Sequence, residues 1–544
     1  MDPTNRKKII SFFIKKKHLL TIDNLKQLEN EETPSTIDET YLTQLFIKIT
    51  NQKNNYLSNS SINLGLSSTS SNLHLLSTQL YSPNSLSHSN IQTTSNIINN
   101  NLHQSLSANL KTANLQHLSP STNNSNLEIK FSYVDVAKKR EPSDFSQLFK
   151  KRFIAIEKIL RNRRELQSVT SINRILTKKA KEDVAIIGLV LDIQKTKNGN
   201  IVLLMEDQTS QIKVIVNKTK PSIFSLTSEI VHDEALGITG TYMDGVIFAT
   251  NILFPDIPLT TELKKSPDEC YAAFISDIHI GSNNFMAEEF NKFISWLNLE
   301  YGSELHRTIA EKLKYIIIAG DLIDGVGIYP MQESELDIKD VIEQYSALAK
   351  LLSKIPPHIK IILSSGNHDA IRISEPQPPP YKDFAAALYA LPNIYFVSNP
   401  AVVNIHKSQN FSGFDVLIYH GYSFDYYVAN VDALRLKGGY KKGENILKFL
   451  LKKRHLAPTH SSTLYIPDVE SDPLVIDPVP DFFATGHTHY TVVSNYRTTT
   501  LISGSCWQAK TAFQEKMGHE PQPCRVPIVN LQTRAVRILN FSKE

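Results

Sequence analysis

The sequence predicts an α/β domain with a buried sheet over residues 270–544. A five-stranded β-barrel over 181–256 and a small helical unit at the amino terminus precede it. Three observations carry this. From Cys270 onward, apolar runs alternate with helical segments, and five of the runs end in Asp, Asn or His. Between Asp183 and Phe254, five short β-rich runs are separated by turn chemistry such as "KNGN" and "MDG". Residues 51–125, by contrast, are dominated by Asn and Ser and carry almost no charge.

The chain has 544 residues, too many for one core. Its net charge of +4 and pI of about 8.6 are mildly basic and hint at an acidic partner. The three cysteines, Cys270, Cys506 and Cys524, form no CxxC pair, which argues against a disulfide framework and a structural zinc knot. The expectation is a reducing, cytoplasmic setting. No apolar run approaches the ~20 residues that span a bilayer, so no membrane partner is expected. Lysines break the apolar stretch of "MDPTNRKKIISFFIKKKHLL", which therefore lacks the core of a signal peptide.

Residues 1–50 read as a small helical domain, with Ile9, Phe12, Phe13 and Leu19 near one face. Residues 51–125 read as a flexible linker, since they cannot bury a core. Residues 126–180 read as a basic helical connector. In "FSQLFKKRFIAIEKILRNRREL" apolar residues fall at helical spacing, and the helix either contacts phosphate or a partner or is an ordinary amphipathic one. Residues 181–256 hold the five β-rich runs, with about 18 residues between the third and fourth, enough for a helix. That is the plan of an OB barrel. Its strands carry few aromatics, so a packing or partner-binding role is favoured over base stacking.

In residues 270–544, "YAAFISDIH" ends in Asp277 and His279, and "YIIIAGD" in Asp321. "KIILSSGNHD" ends in Asn367 and His368, "VLIYHG" presents His420, and "FFATGHTH" presents His487 and His489. Ligands in α/β folds gather at the carboxyl ends of strands, so these residues are expected along one edge. A period of 2 places Asp277 with His279, and His487 with His489, on a common side. Gly320, Gly366, Gly421 and Gly486 permit tight backbone beside them. Mixed imidazole and carboxylate donors suit Mn²⁺, Fe²⁺ or Zn²⁺ better than Ca²⁺. Seven donors are too many for one ion and suit a pair about 4 Å apart that shares a carboxylate. The run "EPQPPP" after the His368 loop favours an extended, stiff segment that either touches substrate or braces the site. The basic segment 430–460 is expected near the same edge, as a phosphate-binding surface or a solvated helix face.

Together, "DIH", "GD", "GNHD", "HG" and "GHTH" resemble the calcineurin-like metallophosphoesterases. The flanks "GDLIDGVGIYPMQ", "GNHDAIRISEPQPP", "YHGYSFD" and "DPLVIDPVPDFFATGHTH" resemble the small subunit of archaeal DNA polymerase D. The resemblance is strong over residues 180–544. It implies a calcineurin-like sandwich behind an OB barrel, and a 3′–5′ proofreading exonuclease that pairs with a large polymerase subunit and acts on DNA 3′ ends at the nucleoid. Related eukaryotic subunits have lost the metal ligands, whereas this chain keeps each one. By the resemblance, Asp277, His279 and His489 hold one divalent ion, Asn367, His420 and His487 the other, and Asp321 bridges them. His368 protonates the leaving oxygen, and Asp369 either orients His368 or serves the turn. A stand-alone phosphoesterase and a non-catalytic scaffold are the alternatives.

Overall fold

The computed structural model describes residues 126–259 and 262–542. The expected helical unit at 1–50 and linker at 51–125 lie outside the described residues.

The first element among the described residues is an edge strand, β1 (Leu127–Ser132), where a helical stretch was expected. Its sequence "LEIKFS" alternates apolar and polar residues, the period of a strand. It pairs antiparallel with a strand some 270 residues later, and nothing local announces such a partner. The expected amphipathic helix follows as α1 (Pro142–Leu160), which opens on Pro142 and a Glu141–Asp144 capping box.

Next comes a closed barrel of β2 (Glu182–Lys195), β3 (Ile201–Glu206), β4 (Gln211–Val216), β5 (Ala235–Met243) and β6 (Val246–Leu253), in the order β2-β3-β4-β6-β5. Alternate residues such as Ile186, Leu203, Met205, Val214 and Leu236 fill it. The break between β4 and β5 holds two short helical turns, Pro221–Phe224 and Ser225–Glu229.

Two six-stranded sheets form the rest. One runs β1-β11-β12-β13-β15-β14, with β11 Ala401–Ile405, β12 Phe414–Ile418, β13 Phe482–Thr485, β14 Val492–Tyr496 and β15 Thr499–Ser503. The other runs β10-β9-β8-β7-β16-β17, with β7 Tyr271–Ile275, β8 Leu313–Ala319, β9 Lys360–Ser364, β10 Ile394–Val397, β16 Arg525–Asn530 and β17 Val536–Asn540. Side-chain alternation makes the layers. Ala272 and Phe274 of β7 face the other sheet and pack with Val416, Ile418 and Phe482. Ala273 and Ile275 face outward, onto α2 (Ala287–Leu297) and α3 (Val341–Leu352), through Phe290, Phe293, Tyr345 and Leu348. On the opposite face, Leu417 and Phe483 pack against α4 (Phe424–Asn430) and α5 (Gly443–Lys453). No helix among the described residues is long and apolar enough to cross a membrane.

Buried charge ties barrel and sandwich together. Lys453 of α5 is buried and donates to Glu234 Oε2 at 2.6 Å and to the Glu229 carbonyl at 2.7 Å. Lys452 meets Glu229 at 2.7 Å, and Arg152 of α1 is fully buried against Asp472 at 2.7 Å. Lys453 and Arg152 face inward, so the phosphate-surface readings of α1 and of segment 430–460 fail at these two positions. Pairing with buried carboxylates requires that orientation.

Candidate metal centre and cleft

Each expected site residue follows a strand. Asp277 and His279 follow β7, Asp321 follows β8, and Asn367 and His368 follow β9. His420 follows β12, while His487 and His489 follow β13. All eight come together at the carboxyl ends of these strands. The expected alternation is not what aligns them. Asp277, His279, Asp321, His487 and His489 all have φ between 50° and 70°, so each is turned by left-handed backbone and not by an extended strand. Backbone bonds from the Asp277, Ile278 and His279 amides to the Gly320 and Asp321 carbonyls hold that conformation. Two glycines allow the loops to meet. A Cβ on Gly486 would stand 2.6 Å from Asp277 Oδ2, and one on Gly366 would collide with Asp321.

The centre is buried and its polar atoms converge. His279 Nε2 lies 3.1 Å from His489 Nε2, which is 3.4 Å from Asp277 Oδ1. His420 Nε2 lies 3.2 Å from Asp321 Oδ2 and 3.0 Å from Asn367 Oδ1. His487 Nδ1 lies 3.0 Å from the same Asn367 oxygen.

The far nitrogen of each ring is anchored. His420 Nδ1–H donates to the Ala319 carbonyl at 2.8 Å, and a carbonyl only accepts. Asp324 Oδ1 takes His279 Nδ1 at 2.9 Å, and Asp425 Oδ2 takes His487 Nε2 at 3.0 Å. The Gln514 amide lies 3.0 Å from His489 Nδ1. In neutral rings so anchored, the inward nitrogens of His279, His420 and His487 are lone pairs, and those of His420 and His487 face side-chain oxygens. A cation reconciles acceptors at these distances, and the imidazole, carboxylate and amide donor set fits divalent metal ions.

The electrostatics agree. Burial works against charge on His420, but Asp321 and Asp277 outweigh it and push the imidazole up to about 10. Burial likewise raises Asp277 and Asp321, yet the surrounding imidazoles hold both carboxylates below their usual range.

His368 stands beside this centre. Its amide donates to Asp321 Oδ1 at 2.8 Å, and its Nδ1 bonds the Asp324 carbonyl at 2.9 Å. Asp369 serves the turn. Its carboxylate accepts from the Gly366 amide at 2.8 Å and the Tyr345 hydroxyl at 3.0 Å, and it does not touch His368. Burial, with Asp321 nearby, lifts Asp369 to about 7. The proline-rich loop braces the site. Gln377 Oε1 accepts from Asn399 Nδ2 at 2.7 Å, and Asn399 Oδ1 accepts the His420 amide at 2.8 Å.

The sequence reading missed Asp324, Asp425 and Gln514. Asp324 and Asp425 sit inside "GDLID" and "YSFD", where spacing from a ligand was the only available signal. A fourth donor cluster among the described residues joins Asp268 and Cys270, just before β7, to His406, just after β11.

The family of B subunits of DNA polymerases alpha and epsilon matches this chain over residues 272–493. The DNA polymerase II small subunit of Methanocaldococcus jannaschii is 40% identical over 390 residues, covering 71% of this chain and 64% of that protein. That of Pyrococcus horikoshii is 39% identical, covering 73% and 63%. The match thus spans less than two thirds of the length of both proteins. The small subunit of Methanothermobacter thermautotrophicus is 37% identical over 402 residues, covering 74% of this chain and 80% of that protein. Over that extent of shared sequence, the chain belongs to the archaeal DNA polymerase II small-subunit family.

Proposed function

We propose that the protein is the proofreading subunit of a two-subunit DNA polymerase, which removes mismatched 3′ ends by two-metal phosphodiester hydrolysis while joined to a large polymerase subunit. The observation that carries this reading is the set of inward acceptors on His279, His420 and His487, each fixed from behind by a carboxylate or a carbonyl. Family membership supplies the polymerase context. In this reading the sandwich is a calcineurin-like phosphoesterase and the barrel an OB fold.

Asp277, His279 and His489 would hold one ion and Asn367, His420 and His487 the other, with Asp321 shared. Mn²⁺ suits the donors, and so do Fe²⁺ and Zn²⁺. When bound, such a pair supplies an activated water at neutral pH and offsets charge on the phosphoryl oxygens. The chain's own groups do the rest. His368 Nδ1–H donates to the Asp324 carbonyl, so Nε2 faces the cleft and gives a proton to the departing 3′ oxygen only when the ring enters the step as imidazolium. Asp324 orients His279 and His368 together, so the acid and one metal ligand share a support. The cleft of about 500 Å³ is walled by Tyr329, Tyr422, Tyr440 and Phe513, surfaces on which bases stack. A non-catalytic scaffold leaves four anchored imidazoles without a role.

The test is hydrolysis of a 3′-mismatched primer–template by the full-length chain, with and without Mn²⁺. Release of the mismatched nucleotide only with the metal is expected. No release under any metal overturns the reading.

A further inference from the structure

A second cavity of about 750 Å³ opens next to the catalytic cleft, and Tyr422 and Asp425 line both. Its volume is in the roughly 300–1,000 Å³ range of small-ligand sites. Three parts of the chain build it. Phe145 comes from α1, Tyr426 from α4, and His460 and Tyr465 from the loop after α5. The His460 and Tyr465 rings stack at 5.4 Å with only 7° between planes, and Phe145 meets His460 edge-on at 5.6 Å. The Asp233 carboxylate of the barrel accepts the His460 amide at 2.9 Å and fixes this wall.

The lining is aromatic and hydroxyl-rich, and its carboxylate is that of Asp425. Such a lining repels a phosphate and suits a flat, uncharged ring with donor groups. Its position relative to the cleft selects the ring. His368 stands with Asp324 and His279, whereas Asp425 and Tyr422 stand with His487. A strand whose 3′ oxygen departs toward His368 presents the nucleotide on the far side of the scissile bond to Tyr422. That nucleotide is the terminal one.

We propose that this cavity is a nucleobase subsite that receives the 3′-terminal base before its removal. This rests on the exonuclease reading above. The subsite favours an end free of its partner strand, because a base enters it only after leaving the duplex, which costs least at a mismatch. Selectivity for mismatches then arises in part from what the terminal base gains on the aromatic wall.

The experiment compares single-stranded oligonucleotides ending in an ordinary or an abasic 3′ nucleotide, using the full-length chain, Tyr426→Ala and His460→Ala. The parent is expected to prefer the ordinary end by about tenfold in kcat/KM, the scale of one stacked base. Each variant should lose most of that preference, while hydrolysis of bis(p-nitrophenyl) phosphate, which has no base, stays within about twofold of the parent. An equal rate for both ends in the parent, or a preference unchanged in both variants, overturns the subsite. A second readout needs no catalysis. In chelator, a 3′-terminal 2-aminopurine should be quenched by the parent and not by Tyr426→Ala, and equal quenching overturns the subsite. If neither DNA nor the small diester is hydrolysed, the catalytic reading of the cleft fails, and quenching alone decides whether a base binds.

Discussion

Asp324 Oδ1 lies 2.9 Å from His279 Nδ1, both groups are buried, and the contact fixes which nitrogen of His279 faces the centre. Asp324→Asn keeps the shape but removes the carboxylate that holds the tautomer. A loss of about 10–100-fold in Mn²⁺ affinity or activity is expected, the usual cost of altering a group behind a metal ligand. The Mn²⁺ concentration giving half-maximal hydrolysis measures it, and an unchanged titration would remove Asp324 from the site.

His368→Ala and Asp321→Ala separate hydrolysis from assembly. Loss of the proton donor should slow hydrolysis by ~10²-fold or more, and loss of the shared carboxylate should do at least as much. Both residues line the cleft at the strand ends. Each variant should therefore still co-purify with the large subunit and still support primer extension. Normal mismatch removal by His368→Ala would rule out its role as acid.

Metal removal gives the coarsest check. Protein treated with chelator should be inactive and should recover on addition of Mn²⁺. Full hydrolysis in excess chelator would contradict the two-metal reading.

The Lys453–Glu234 pair predicts stability. Both side chains are buried, and burial raises Glu234 while lowering Lys453. Lys453→Met strands a buried carboxylate and should cost about 3–5 kcal/mol. Adding Glu234→Leu should recover most of it, since neither charge then needs a partner. Denaturant unfolding of parent, single and double variants measures both steps.

His455 predicts a pH dependence. It is fully buried, its Nδ1 accepts the Ala457 amide at 2.9 Å, and its Nε2 lies 3.0 Å from Asp472 Oδ2. Burial, with Arg152 close by, lowers its pKa to about 4. Between the ordinary value near 6.5 and about 4, the unfolded chain binds a proton that the folded one refuses. Stability should therefore fall as pH drops through that window, by an amount approaching about 3 kcal/mol, and change little from this group above pH 7. The melting temperature of His455→Gln should decline less steeply than that of the parent from pH 7 to 4.

The main site residues were legible because each lies within a few positions of a strand end, where a short motif is visible. The barrel was legible for the same reason, since its strands alternate and its turns are local. What supports the site was not. Asp425 and Gln514 reach His487 and His489 across 62 and 25 residues, and no local pattern encodes such contacts. Asp277 and His279 share a side through left-handed backbone, which composition does not reveal. Lys453 and Arg152 read as surface charge because their partners, Glu234 and Asp472, are 219 and 320 residues away.

The strand β1 places the barrel within the sequence of the sandwich, not ahead of it. A single cut before Glu182 would not release an intact sandwich, because it would also discard the strand covering Ala401–Ile405. The bared edge would offer unpaired amides and carbonyls to any passing chain. A sandwich fragment meant to stay in solution therefore has to begin at or before Leu127 and carry the barrel with it.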